Sequence, residues 1–473
     1  MALTVPLSEI VEKSSNRLLG KHESWGRVLL GDVATVLNGF AFKSSEFSNS
    51  GGVPLIRIRD VGKDRSDTTY LGEYNARYVV EPGELLVGMD GDFNCARWRG
   101  PRGLLNQRVC KITLKSDTFL PKFLDYTLPG YLKAINDVTS SVTVKHLSSR
   151  SIEEIPLPLP PKEVQECLVA EIEKQFSRLD EAVANLKRVK ANLKRYKAAV
   201  LKAAVEGKLT EDWRKQHPNV EPAGKFLESI LAERRAKWSG RGKYKELNTP
   251  DTTNLPKLPG IWAWVTWDSV LAIGEGAFKR GPFGSALKKS IFVSHGYKVY
   301  EQYCPINDDC SFERYYITRE KFEELRSFEV KAGDFLISCS GVTLGRITQV
   351  PHDFKKGIIN QALLRVRLNN KIIDDGYFAR LFRSLLFQRW IFDNSTGSAI
   401  PNVKGVKELK AIPIPLPPLV EQQQIVAELE RRLSVIEELE AAIEANLTRA
   451  DRLRRSILQR ALTGRMVSSA GVR

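Results

Sequence analysis

Several short clusters in this chain set cations beside rings or amides. In the first half they are Phe40-Ala-Phe-Lys43, Arg57 with Arg59, Arg97-Trp-Arg99 and Thr143-Val-Lys145. In the second half they are Phe278-Lys279-Arg280, Lys288-Lys289, Gln302-Tyr303, Arg346 and Asn402-Val-Lys404. A guanidinium can meet a guanine edge with two hydrogen bonds, a Gln or Asn amide can meet adenine, and an ammonium holds phosphate. The candidate nucleic-acid contacts are therefore Lys43, Arg57, Arg59, Arg97, Arg99, Lys145, Lys279, Arg280, Lys288, Lys289, Gln302, Tyr303, Arg346, Asn402 and Lys404. The same residue types also make an ordinary solvated basic face; Arg57 and Arg59, read as one face of a strand, could point to either. The net charge of +16 and pI near 9.4 tilt the balance toward a polyanion.

Other chemistry is hard to build from these residues. His22, His146, His217, His295 and His352 have no i, i+4 partner and no neighbouring Cys that would suggest a metal site. Asp90-Gly-Asp-Phe-Asn94 starts like a calcium loop, but Cys95 and Pro101 stand where glycine and glutamate are needed, so a turn is expected. There is no phosphate-binding G-x-x-x-x-G-K-[ST], no G-x-S-x-G, no Asn/Asp-Pro-Pro-aromatic segment and no convincing acid-acid-lysine set. The six cysteines are scattered without C-x-x-C, no apolar run approaches ~20 residues, and the start lacks a basic-then-apolar leader. The chain reads as a cytoplasmic, non-catalytic protein that binds no cofactor and no metal.

The elements that would position the clusters are announced by a repeat. IPLPLPP at 155–161 returns as IPIPLPP at 412–418, an offset of 257 residues. The offset then holds without insertion or deletion: Leu168 falls on Ile425, Phe176 on Leu433, Val200 on Ile457 and Gly207 on Gly464. Upstream it drifts, to 254 at Asn106-Gln107 against Asn360-Gln361, 250 at Glu81–Val87 against Lys331–Ile337, and 237 at Trp25 against Trp262. Variable loops thus alternate with an element of fixed length.

That element is a long helix. Apolar residues recur in steps of three and four, which predicts helix pairing through Leu168, Ile172, Phe176, Leu179, Leu186, Leu193 and Val200, and through Ile425, Leu429, Leu433, Ile436, Ile443, Leu447 and Ile457. The paired prolines mark a sharp start, Gly207 and Gly464 a stop, and residues 162–206 would span about 68 Å at ~1.5 Å per residue. Lys190 and Lys197 interrupt the first seam, Glu440 and Arg454 the second, while Leu447 and Val183 stand at the equivalents of Lys190 and Glu440. Complementary defects favour pairing of the two helices with each other, antiparallel, over pairing of identical copies.

The upstream halves read as mixed, mostly β domains. Runs at 53–59, 84–87, 109–114, 335–338 and 362–368 predict strands, and helices are expected at 121–131 and 376–390. The fold class is α+β: two mostly β domains joined by two long antiparallel coiled-coil helices, with an internal pseudo-two-fold repeat. The expected segments are 1–22, a domain at 23–155, a helix at 156–209, a linker with a short helix (223–238) at 210–259, a domain at 260–412, a helix at 413–467, and a tail at 468–473.

This layout resembles the specificity subunit of type I restriction–modification systems. The resemblance rests on the paired I-P-[LI]-P-L-P-P phrases, on Pro417-Pro-Leu-Val-Glu-Gln422, and on AAVEGKLTEDW at 203–213; Lys162-Glu-Val-Gln165 departs slightly in the first copy. It implies that 23–155 and 260–412 are target recognition domains, each reading half of a split, asymmetric sequence in double-stranded DNA. It implies that the helices act as a ruler. It further implies partners: two modification subunits, which bind S-adenosylmethionine and methylate adenine at N6, and two restriction subunits that can join. The competing readings are a self-contained DNA-modifying enzyme and a coiled-coil scaffold that binds protein.

Overall fold

In the computed structural model, residues 7–13, 16–138, 146–236, 246–274, 276–282, 286–341, 343–392 and 403–466 are described. The chain divides into two compact units, Met1–Arg188 with Ile443–Arg473, and Val189–Ala442. The divisions fall inside the two long helices, Lys162–Val205 and Leu419–Leu462, which are 44 residues each.

In the first unit, Gly26–Leu29 pairs antiparallel with Pro156–Leu159, so the first proline phrase is a strand. Its alternation suits a strand with one partner. Leu157 and Leu159 stand opposite Val28 and Gly26, where an N–H is needed, and Pro158 and Pro156 stand opposite Arg27 and Leu29, where none is. A four-stranded sheet runs in the order Ala34–Asn38, Val109–Leu114, Leu85–Gly88, Cys95–Arg97. Beside it a five-stranded sheet contains a parallel pair, Val53–Ile56 with Gly103–Leu105. The helix Pro121–Val138 packs its Phe123, Leu124 and Leu128 into the same core as Leu168, Ile172, Phe176, Ile457, Ala461 and Leu462. Leu7 and Val11 from the helix Leu7–Lys13 join that core, so the segment before residue 23 belongs to the domain.

The second unit repeats the plan. Ala263–Thr266 pairs with Pro413–Leu416, the second proline phrase. Its four-stranded sheet runs Phe278–Arg280, Leu363–Val366, Phe335–Ser338, Ile347–Gln349, and a smaller sheet again holds a parallel pair, Tyr297–Tyr300 with Gly357–Ile359. Where one helix was expected at 376–390 there are two, Asp375–Phe382 and Leu385–Ile391. Ser384 separates them, its hydroxyl accepting from Phe387 N and capping the second. The helix at Ala223–Ala236 buries Ala223, Leu227 and Ile230 in the core, so part of the expected linker is structural.

The repeat extends to single atoms. Buried Gln165 accepts from Leu120 N (2.8 Å) and donates to Thr118 O and Pro160 O (3.0 Å each). Buried Gln422 accepts from Asp374 N (2.7 Å) and donates to Ile372 O and Pro417 O (2.9 Å each). Each amide thus staples the first turn of a long helix to its own domain. Lys111 bridges Glu84 (2.9 Å) and Val79 O (3.0 Å); at the equivalent place Arg365 donates to Glu329 O and faces buried Asp334. Burial lowers the Arg365 pKa. Gly207 and Gly464 adopt φ of 75° and 73° and end the helices, with Lys208 N donating to Ala203 O (2.9 Å) and Arg465 N to Arg460 O (2.8 Å).

Every residue expected on the helix seams is buried or half-buried. The seam cations find partners. Within the first unit Arg454 binds Asp180 and lies 4.3 Å over the Phe176 ring; within the second, Lys197 lies 3.8 Å from Glu437. These pairs are repeat equivalents, since both members shift by 257 residues. Each helix is also charge-polarised. The first carries Glu163, Glu166, Glu171, Glu173, Asp180 and Glu181, then seven cations and no acid from 182 to 205. The second keeps seven glutamates between 421 and 444, then five arginines against the single acid Asp451. Antiparallel packing sets the acidic half of one against the basic half of the other, whereas parallel packing would oppose like charges.

Candidate nucleic-acid interface

In the first domain Lys43 is exposed at the entrance to a short turn, Ser44–Glu46, beside an aromatic group. Phe40, 48% exposed, has its ring 5.2 Å from both Phe42 and Tyr78. Arg57 and Arg59 do not share a strand face: the strand ends at Ile56, and Ile58–Asp60 is a 3-10 turn. The cause is buried Asp60, whose carboxylate accepts from Arg57 N at 3.0 Å and coils the chain there. Arg59 remains exposed, with one donor on Thr68 Oγ1 (3.1 Å). Arg97 is committed inside the fold, to Asp125 (2.6 Å), Gly83 O (2.6 Å) and Pro121 O (3.2 Å). Its neighbour Arg99 is exposed, while Trp98 between them is buried with its indole N–H on Pro101 O.

In the second domain Lys288 and Lys289 are exposed on a turn in front of Leu287 and Ile291. Lys279 lies 4.7 Å over the Phe328 ring. Tyr303, 41% exposed, stacks on Phe312 with centroids 4.0 Å apart. The Gln302 amide faces inward, donating to Ser340 O at 2.7 Å, so it positions a turn before it reads anything. Lys145 and Asn402 lie outside the described residues.

Three of the second domain's residues, and the neighbour of a fourth, meet the described parts of one hairpin, 339–341 and 343–345. Gln302 holds Ser340. Arg346 closes the turn, with Ser338 N donating to Arg346 O (2.9 Å) and the Ser338 hydroxyl accepting from Arg346 N (3.0 Å). Lys404 follows Val403, whose N–H donates to Cys339 O (3.2 Å). Arg280 lies close enough to Cys339 to favour its thiolate, although burial pushes that thiol up to about 12. The first domain builds the equivalent turn, where Leu147 N donates to Met89 O (2.7 Å) and Met89 N to Arg108 O (2.8 Å). There Asp90 binds His146 Nδ1 (2.6 Å) and Arg108 Nε (3.4 Å). Sequence reasoning missed Arg108 and His146; the offset of 250 that aligns Gly88-Met-Asp-Gly91 with Ser338-Cys-Ser-Gly341 could have found the turn. Chemically, each turn gathers cations from separate elements, on a backbone held by hydrogen bonds. Such a surface suits a polyanion with readable edges.

The family model for the type I restriction modification DNA specificity domain matches residues 22–195 and 284–449. The chain belongs to this family. Among relatives of this specificity family, the chain is 33% identical over 472 residues to the type I restriction enzyme EcoBI specificity subunit of Escherichia coli, covering 99% of this chain and 92% of that one. The EcoKI specificity subunit of E. coli K12 is 22% identical, with 94% and 90% covered. A chain solved in work on assembly and conformational transition of the type I R-M system has the same fold, with a TM-score of 0.61, 18% identity, and 94% and 99% covered. The HsdS subunit from Thermoanaerobacter tengcongensis gives 0.50 at 17% identity, with 93% and 97% covered. Among the described residues no helix is long and apolar enough to cross a membrane.

Proposed function

We propose that this chain is the sequence-reading component of a type I restriction–modification complex. Residues 23–155 and 260–412 act as target recognition domains, each reading one half of a split, asymmetric site in double-stranded DNA. The two 44-residue helices pair as an antiparallel coiled coil of about 66 Å at ~1.5 Å per residue and fix the gap between the halves. The exposed members of the cation and amide set, among them Lys43, Arg59, Arg99, Lys288, Lys289 and Arg346, contact DNA. The helices also dock two modification subunits, which supply S-adenosylmethionine and adenine-N6 methylation, and two restriction subunits can join them. The chain itself catalyses nothing, holds no cofactor and works in the cytoplasm.

The observation that carries this reading is the contrast between two repeated domains whose loops drift and two helices whose length and ends do not. Unlike readers on one fixed spacer demand a bipartite, non-palindromic target, as a symmetric dimer demands a palindrome. A methyltransferase must extrude its adenine, so positioning can be assigned to a separate chain.

The test is to modify DNA with this chain plus its modification subunit and sequence the methylated adenines. A single split motif is expected, with salt-sensitive binding. Equal methylation of all sequences would reject the reading, and methylation by this chain alone would favour a self-contained enzyme.

A further inference from the structure

Cys304 and Cys310 bound a tight turn, Cys304-Pro-Ile-Asn-Asp-Asp-Cys310, in the second unit. Asp309 N donates to Cys304 O (3.0 Å), and Asp308 takes a left-handed φ of 53° that folds the segment back. Both side chains pack in one small cluster with Tyr300, Leu336 and Val350, Cys304 buried and Cys310 half-buried. The Cys310 thiol donates to Gln349 O (3.9 Å), and the two thiols lie close enough to influence each other's ionisation.

Beside them lies Lys298, only 1% exposed. Its ammonium donates to Cys310 O (2.5 Å) and lies 4.5 Å over the Tyr300 ring, and among the described residues it forms no ion pair with a carboxylate. A buried cation without a direct ion pair is costly. Lys298 acts at longer range on the carboxylates of Asp309 and Glu313, and it favours the ionised form of both thiols.

We propose that Cys304 and Cys310 are a redox-active dithiol, oxidised by a hydroperoxide to an intramolecular disulfide and restored by a dithiol reductant. A small peroxide enters from the half-buried Cys310 side. The thiolate attacks one peroxide oxygen and the O–O bond breaks. The departing hydroxide takes the proton released on ionisation and leaves as water, and a sulfenic acid remains. The second sulfur attacks the sulfenic sulfur, the S–O bond breaks, the S–S bond forms, and the remaining thiol proton leaves in a second water. Two thiols and one hydrogen peroxide give one disulfide and two waters, the sulfurs losing the two electrons that the peroxide gains. The closed ring fastens the turn directly behind Gln302 and Tyr303.

The experiment titrates the full chain with hydrogen peroxide, blocks remaining thiols by alkylation, and analyses tryptic peptides. Peptide 299–314 holds both cysteines and no other. It is expected unalkylated and two hydrogens lighter, at peroxide levels that leave exposed Cys167 alkylatable, and dithiothreitol should restore it. Lys298→Met, whose tryptic peptide becomes 290–314 with the same two cysteines, is expected to slow the conversion at least tenfold, with folding checked by circular dichroism, and Cys310→Ser to abolish the lighter peptide. Alkylation of both cysteines under conditions that oxidise Cys167 would overturn the proposal, as would disulfides between chains.

Discussion

Glu421 offers the sharpest test of how the second repeat is locked. Its side chain is fully buried and accepts from Thr210 Oγ1 (2.6 Å), Arg214 Nη1 (2.5 Å) and Trp262 Nε1 (2.8 Å), while Arg214 also donates to Gly207 O (2.5 Å). The carboxylate therefore ties the stop of one long helix to the start of the other and to the buried Trp262. The first repeat solves the same position without charge: Val164 stands 257 residues earlier and is buried in an apolar core. Copying that solution, Glu421→Val strands a largely buried guanidinium, and removing one partner of such a pair costs about 3–5 kcal/mol. For a unit of this size that is a fall of roughly 6–20 °C in its thermal midpoint. Adding Arg214→Met removes the stranded charge and should recover at least half of the loss. Full recovery is not expected, because the Thr210 hydroxyl and Trp262 indole remain unbonded at ~1–3 kcal/mol each. Urea and thermal unfolding followed by circular dichroism measure both variants. If the single variant loses under about 1 kcal/mol, or the two changes simply add, the lock is not electrostatic.

Glu428 is held at about 2, first by the bidentate hydrogen bonds from Arg431 (2.9 Å each) and then by Arg432. A lowered carboxylate stabilises the fold fully above its ordinary value and loses that contribution as pH falls through about 2. Glu428→Gln should therefore lower stability most at neutral pH, where the contribution is fully present, and flatten the acid limb of the stability–pH curve below about 4.5, so that variant and parent converge as pH falls through about 2. Inserting four residues near Leu186 adds about 6 Å; it should lengthen the gap in the methylated motif or prevent assembly, and an unchanged gap with intact binding would count against the ruler. Exchanging residues 260–411 for another variable domain should alter one half of the motif alone. Arg99→Ala should weaken DNA binding and, if it meets a phosphate, reduce the log–log salt slope by about 0.9; an identical affinity and slope would remove Arg99 from the interface.

The long helices were legible because each rule that defines them is local. Proline forbids helix before residue 162 and glycine permits the left-handed stop at 207, and the same rules recur at offset 257. The seam followed from periodicity, and strands such as Val109–Leu114 and Phe335–Ser338 from their apolar, β-rich runs. What stayed hidden depends on atoms distant in sequence, or on a polar side chain turning back. Asp60 coils the chain at Arg57, Ser384 splits a helix, and Asp125 takes the Arg97 guanidinium that composition alone offers to DNA. Gln302 likewise looks like a reader until Ser340 is seen to hold it. The charge polarity of the two helices was in plain view, but it gains meaning only beside an antiparallel partner.

That polarity has an evolutionary consequence. Asp180 and Lys197, on the first helix, are the repeat equivalents of Glu437 and Arg454 on the second. A half-length ancestor carrying one such helix could therefore pair with another copy of itself, acid to base at both ends. Tandem duplication would write that homodimer into a single gene. Each half could then change its loops without consulting the other, and a palindrome-reader would become a reader of two unrelated words.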